Sequence, residues 1–126
     1  MESNYKHSEL TSVIIEAFYE VYSVLGYGFL EKVYENALMI ELEDLGLSCQ
    51  KQKPLEVIYK NQMIGDYYTD IIVEDKVILE IKAVREIIKI HEVQLVNYLK
   101  ATKMEVGLVL NFGPKPQIKR KVLTNY

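Results

Sequence analysis

Hydrophobic residues recur along this chain with two different periods, and the change of period separates helices from strands. Leu10, Ile14, Ala17, Phe18, Val21 and Leu25 follow one another at three- and four-residue steps, which predicts a core-facing helix capped by Ser8 or Thr11 and running to about Leu25. Gly26-Tyr27-Gly28 breaks the rhythm, because two glycines two apart favour a turn. A second helix is predicted from about Leu30 to Leu45, with Gly46 placed for a left-handed cap.

Beyond Gly46 the period drops to two. Leu55, Val57 and Tyr59 alternate with polar positions, Pro54 stands at the entrance of that strand, and Lys60-Asn61-Gln62 offers a turn. From Gly65 to Val84 two further apolar, β-branched arms flank the polar triplet Glu74-Asp75-Lys76, which predicts a tight hairpin. Three successive antiparallel strands result. Helical spacing returns from His91 to Thr102, with His91, Gln94, Leu95 and Tyr98 on one side and Val93, Val96 and Leu99 supplying apolar contacts on the next. Val106–Phe112, an almost unbroken apolar run ended by Gly113-Pro114, reads as a buried strand beside the central pair. In the tail, Ile118 and Val122 are spaced as in an edge strand or a loosely packed segment, among Lys115, Lys119, Arg120 and Lys121.

Composition narrows the field. A length of 126 residues predicts one domain, residues 1–126, with a hydrophobic core of its own. A formal net charge of -3 gives no overall basic signature, so contact with nucleic acid has to come from a local patch, for which the cations of the tail are the obvious candidate. Cys49 is the only cysteine and has no partner at zinc spacing, which points to a structural thiol in a reducing, cytoplasmic setting. The N-terminal Met-Glu-Ser-Asn-Tyr-Lys-His lacks an apolar run, and no segment has the length to span a bilayer.

The candidate chemistry lies in the central hairpin. Side chains alternate faces along a strand, so Asp70 and Ile72 share one face of the first arm, and Ile78, Glu80 and Lys82 one face of the second. If the turn keeps three residues out of the ladder, Val73 pairs with Val77 and Asp70 lies opposite Glu80. Like charges facing each other on a sheet repel, and half-buried charges lose hydration. A divalent cation resolves the conflict: Asp70, Glu80 and a backbone carbonyl near Ile81 suit Mg²⁺ or Mn²⁺, with Lys82 able to orient or deprotonate an attacking water. The plainer alternative is an ion-pair ladder on a solvated face, worth about 0.2–1 kcal/mol. On the second helix, Glu31, Tyr34, Glu35 and Leu38 share a stripe, where acids also suit the helix N-terminus as ordinary surface charge. Gln94 and Tyr98 are i, i+4 neighbours, and His91 reads as a helix-start histidine.

These residues resemble the PD-(D/E)XK nuclease superfamily, in the order Asp70, nine residues, Glu80, one residue, Lys82. Gly28-Phe-Leu-Glu31-Lys-Val-Tyr34 further resembles the motif of the prokaryotic GxxExxY proteins, as do Glu35-Asn-Ala-Leu, the Glu74–Val84 stretch and His91-Glu-Val-Gln-Leu-Val-Asn-Tyr-Leu. The resemblance implies an α/β restriction-endonuclease-like core, helices flanking a central mixed sheet in the order α-α-β-β-β-α-β. It implies Asp70 and Glu80 as metal ligands, Lys82 as catalytic lysine, Glu31 as a helical acid joining the site, and Gln94 and Tyr98 as residues that orient lysine or substrate. Thr69 stands where the superfamily name has proline, and Tyr68 where many GxxExxY proteins carry arginine; Tyr68 could instead stack on a base. The implied activity is Mg²⁺- or Mn²⁺-dependent hydrolysis of phosphodiester bonds, in DNA by family habit. The alternative is a catalytically idle module that binds nucleic acid or a partner protein, and a homodimer or a partner subunit is compatible with either.

Overall fold

The computed structural model describes residues 7–124. The expectation for the first six residues of the N-terminal segment lies outside them. Helix α1 (Ser8–Leu25) and helix α2 (Glu31–Asp44) are followed by strands β1 (Cys49–Tyr59), β2 (Gln62–Val73) and β3 (Val77–Lys82), helix α3 (Lys89–Thr102), and strands β4 (Val106–Phe112) and β5 (Pro116–Val122). The expected α-α-β-β-β-α-β order is present, and the tail extends it as a fifth strand. The strands form one mixed sheet in spatial order β1-β2-β3-β4-β5. β3 and β4 run parallel, and the other neighbours are antiparallel. The single parallel step is the one that α3 bridges, as a crossover requires.

Two apolar layers hold the helices to the sheet. On one face Ile14, Phe18, Tyr34, Leu38 and Leu42 of α1 and α2 pack on Ile71, Val73, Val77, Leu79, Ile81, Leu108, Leu110 and Phe112. On the other, Leu95 and Leu99 of α3 cover Ile72, Ile78 and Val109. Alternation along β2 and β3 therefore sends 71, 73, 77, 79 and 81 to α1 and α2, and 72 and 78 to α3. Of the apolar contacts expected from α3, Leu99 is buried, whereas Val93 faces solvent, because the single seam against the sheet is filled by Leu95 and Leu99. Gly107 makes their close approach possible: a Cβ there would meet Leu95 Cδ1 at 2.6 Å.

Element ends follow local chemistry, with two departures. α2 stops in a Schellman arrangement: Gly46 at φ 83°, its N–H donating to the Glu43 carbonyl and the Leu47 N–H to the Leu42 carbonyl. The tip of the first hairpin is the two-residue turn Lys60-Asn61, both left-handed, with Tyr59 opposite Gln62. α1, however, is capped by neither Ser8 nor Thr11: its N-cap residue is His7, and the Thr11 hydroxyl donates to the Ser8 carbonyl inside the first turn. β1 begins at Cys49, so Pro54 lies inside the strand and not at its entrance. β1 is the sheet edge, where a missing N–H removes no bond from an inner ladder. The basic tail is engaged by the fold: Lys121 of β5 pairs with Glu92 of α3 at 2.7 Å. Among the described residues no helix is long and apolar enough to cross a membrane.

Candidate active site

β2 and β3 share a ladder only from the turn to Ile71–Leu79, through Val73–Val77 and Ile72–Ile78. Beyond it the strands part, and the next position of each carries an acid, Asp70 on β2 and Glu80 on β3. The Asp70 carboxylate fills the opened place in the ladder: its Oδ2 accepts the Ile81 N–H at 2.7 Å. The β1–β2 ladder skips the same point, because Lys51 pairs with Ile71 and Lys53 with Thr69 while Gln52 adopts φ 57°. Asp70 thus sits where the sheet bends, between two interrupted ladders.

Glu80 is 7% exposed, and its Oε2 has no hydrogen-bond partner among the described residues. A buried carboxylate oxygen left unpaired is costly. Burial first, and then the charge of Asp70, push the Glu80 carboxyl up to about 8, against the opposing pull of Lys82 and of the Asp70 backbone N–H, which the carboxylate accepts. Burial likewise pushes Asp70 up to about 6; the Ile81 N–H and Lys82 act the other way, while Glu35 and Glu31 reinforce the rise. The expected trio from the hairpin is therefore together: two acids that resist ionising side by side, and a lysine whose charge both feel. An orphaned carboxylate oxygen beside a second carboxylate is an all-oxygen donor set that fits a hard divalent cation.

The helices bring the remaining candidates to different distances. Glu31, first residue of α2, is exposed and acts on Asp70 and Glu80 electrostatically. Among the described residues no three His, Cys, Asp or Glu side chains form a ready-made metal cluster, so Asp70 and Glu80 are the close pair and Glu31 stands outside it. Tyr98 of α3 lies within reach of Glu80, Asp70 and Tyr67; its phenol is pushed up to about 12, by burial first and then by those acids. Gln94 lines a groove with Tyr98 and Tyr67. The Gly28-to-Tyr34 stretch has a structural job that sequence spacing does not reveal. Tyr34 is fully buried, donates its hydroxyl to the Gly26 carbonyl at 2.7 Å, accepts the Phe29 N–H at 3.2 Å and stacks on Phe112 with ring centroids 4.3 Å apart. With Gly28 at φ 115°, this folds the interhelix loop back on α2 and fixes where Glu31 begins the helix.

Three further residues belong to the neighbourhood. Glu35, expected as helix-surface charge, is 5% exposed; it accepts hydrogen bonds from Gln52 Nε2 at 3.0 and 3.3 Å and pairs with Lys32 and Lys51 at 3.3 and 3.7 Å. It ties the bend in β1 to α2, and only long-range pairing shows this. His91 accepts the Ile88 N–H on Nδ1 at 3.1 Å, which leaves its proton on Nε2 when neutral. Burial and then Lys82 hold its pKa below the usual histidine value, with Glu31 opposing, so the helix-start histidine also faces the site. The loop that follows Lys82 is clamped by fully buried Asn111, whose amide bonds both the N–H and the carbonyl of Val84 at 2.9 Å and donates to Gln117 at 3.2 Å.

A family model for the PD-(D/E)XK nuclease superfamily matches residues 8–121. No curated protein matches the chain. Among solved structures, that of SSO0001 is similar, with a TM-score of 0.59 at 20% identity; the match covers 97% of this chain and 61% of that one. The likeness shows a shared fold, and this chain spans about three fifths of that protein's length.

Proposed function

We propose that this chain, which belongs to the PD-(D/E)XK nuclease superfamily, hydrolyses phosphodiester bonds, in DNA by family habit, as one domain working in the cytoplasm with Mg²⁺ or Mn²⁺. The observation that carries the reading is the orphaned Glu80 Oε2 beside Asp70, where the β2–β3 ladder ends and the β1–β2 ladder skips a pair. Asp70 and Glu80 would hold the cation, and Glu31, outside that pair, would reach it from the start of α2 through a water. When bound, the cation supplies Lewis-acid polarisation of a phosphate oxygen. Lys82 positions the attacking water and offsets negative charge that develops on the phosphate as one P–O bond forms and the opposite one breaks. Gln94 and Tyr98 orient the lysine and the substrate strand. The spacing of Gly28, Glu31 and Tyr34 supports a finer grouping with the GxxExxY proteins.

Calorimetric titration of Mn²⁺ into the wild type and into folded Asp70→Asn comes first, followed by cleavage of single- and double-stranded DNA with a Lys82→Ala control. The reading expects metal binding that Asp70→Asn abolishes, and cleavage that Lys82→Ala lowers by roughly 10²–10⁴-fold with metal binding retained. No binding at millimolar metal would remove its physical basis. Binding without cleavage of any substrate would instead assign the domain to nucleic-acid or partner binding.

A further inference from the structure

Beside the carboxylates lies a groove of about 580 Å³ between the outer half of the β1–β2 hairpin and α3. Leu55, Val57 and Tyr67 form its hairpin side, and Gln94, Asn97 and Lys100 are on its helix side, with Tyr98 between the groove and the acids. The face that Tyr67 presents is not the one strict alternation assigns. Ile71 points to α1 and α2, and Tyr67, four residues earlier on the same strand, should do the same. It meets Tyr98 of α3 instead, ring centroids 5.6 Å apart and planes inclined by 58°. The interruption at Asp70 and left-handed Gln52 falls between the two, so the bend that presents Asp70 also turns the outer hairpin over α3.

Tyr67 remains 50% exposed. That exposure leaves part of its ring open to a third planar group, and aromatic rings stack offset on such a surface. Its neighbour Tyr68, 58% exposed, does not line the groove; of the two tyrosines, the one that sequence reading passed over faces the site.

We infer that this groove receives an unpaired stretch of a nucleic-acid strand, with one base stacked on Tyr67 and the adjoining phosphate delivered past Tyr98 to Asp70 and Glu80. The inference rests on the phosphodiester reading and specifies the form of the strand. An apolar floor and an open aromatic face suit a base; the amides of Gln94 and Asn97 suit base edges, and Lys100 suits a phosphate. Duplex DNA has its base faces already stacked, so it can use Tyr67 only where a base is extruded.

The test is fluorescence anisotropy of a labelled single-stranded DNA oligonucleotide, and of the same sequence as a duplex, in EDTA so that binding is read without cleavage. The wild type should prefer the single strand. Tyr67→Ala should weaken that binding by about 5- to 150-fold, the range that loss of one base–aromatic stack predicts, while Tyr67→Phe stays within about twofold and duplex binding is unchanged. Single-strand binding by Tyr67→Ala equal to the wild type, or a wild-type preference for duplex, overturns the inference. So does light scattering that shows a wild-type dimer turned to monomer by Tyr67→Ala, which assigns the groove to a second copy of the chain. The two readings fail separately. Tyr67-dependent single-strand binding by a protein that never cleaves keeps the groove and removes the hydrolase, whereas cleavage with Tyr67→Ala binding unimpaired does the reverse.

Discussion

Replacing Glu80 by glutamine should flatten the pH dependence of stability in the metal-free protein. A carboxyl whose pKa rises from 4.5 to about 8 on folding holds its proton more tightly in the native state, so its contribution is fully present below about 4.5 and is lost as pH climbs through about 8. The full loss is on the order of 5 kcal/mol at 1.36 kcal/mol per pH unit, and about half of it falls between about pH 5 and about pH 7. The cause is specific: Glu80 is 7% exposed, its Oε2 is unpaired, and Asp70 faces it. Asp70, raised to about 6 mainly by its own burial, keeps its part of the slope in both proteins, so the quantity to read is the difference between them. Urea denaturation in EDTA across that range should show the wild type losing roughly 2–3 kcal/mol more than Glu80→Gln. Added Mn²⁺ should recover the wild-type loss near neutrality and leave the variant unmoved, since a ligand that binds only the native state stabilises it by mass action. Parallel profiles for the two proteins would refute the account of Glu80 as a buried carboxylate that resists ionisation.

Two further outcomes test the supports around the acids. Tyr34→Phe removes a hydroxyl that donates to the Gly26 carbonyl and accepts from the Phe29 N–H; urea unfolding should show a loss of about 1–3 kcal/mol, and an unchanged midpoint would mean the interhelix loop is held by ring packing alone. Gly113→Ala places a Cβ 2.3 Å from the Val84 carbonyl oxygen, a backbone atom that cannot rotate aside, so it should destabilise by about 1–3 kcal/mol and weaken hydrogen-exchange protection of the Val84 amide; wild-type stability with unaltered exchange would refute that contact.

The legible parts of this protein are those set by neighbours in sequence. The α1 stripe from Leu10 to Leu25, the Gly46 stop, the turn at Glu74-Asp75-Lys76 and the apolar run Val106–Phe112 each carry their own period or turn chemistry, and the structure reproduces them. The hairpin parity that sends Ile72 and Ile78 to one face also follows from alternation alone. Misreadings arose where a second element decides. Proline harms a ladder and so predicts a strand that opens at Pro54, but β1 is an edge and runs from Cys49 past it. Glu35 looked like helix-surface charge, and only the approach of Gln52, Lys51 and Lys32 makes it a buried anchor. Counting along β2 assigns Tyr67 to the wrong face, since the β1–β2 ladder keeps its register but skips a pair at Gln52 and Asp70, an interruption that three strands make together. Sequence by itself determined which residues carry the charge and which elements bear them, because period and turn chemistry are local. Tertiary structure alone decided that two acids lose their water beside each other and that an aromatic groove opens next to them, because desolvation and curvature exist only once distant segments pack.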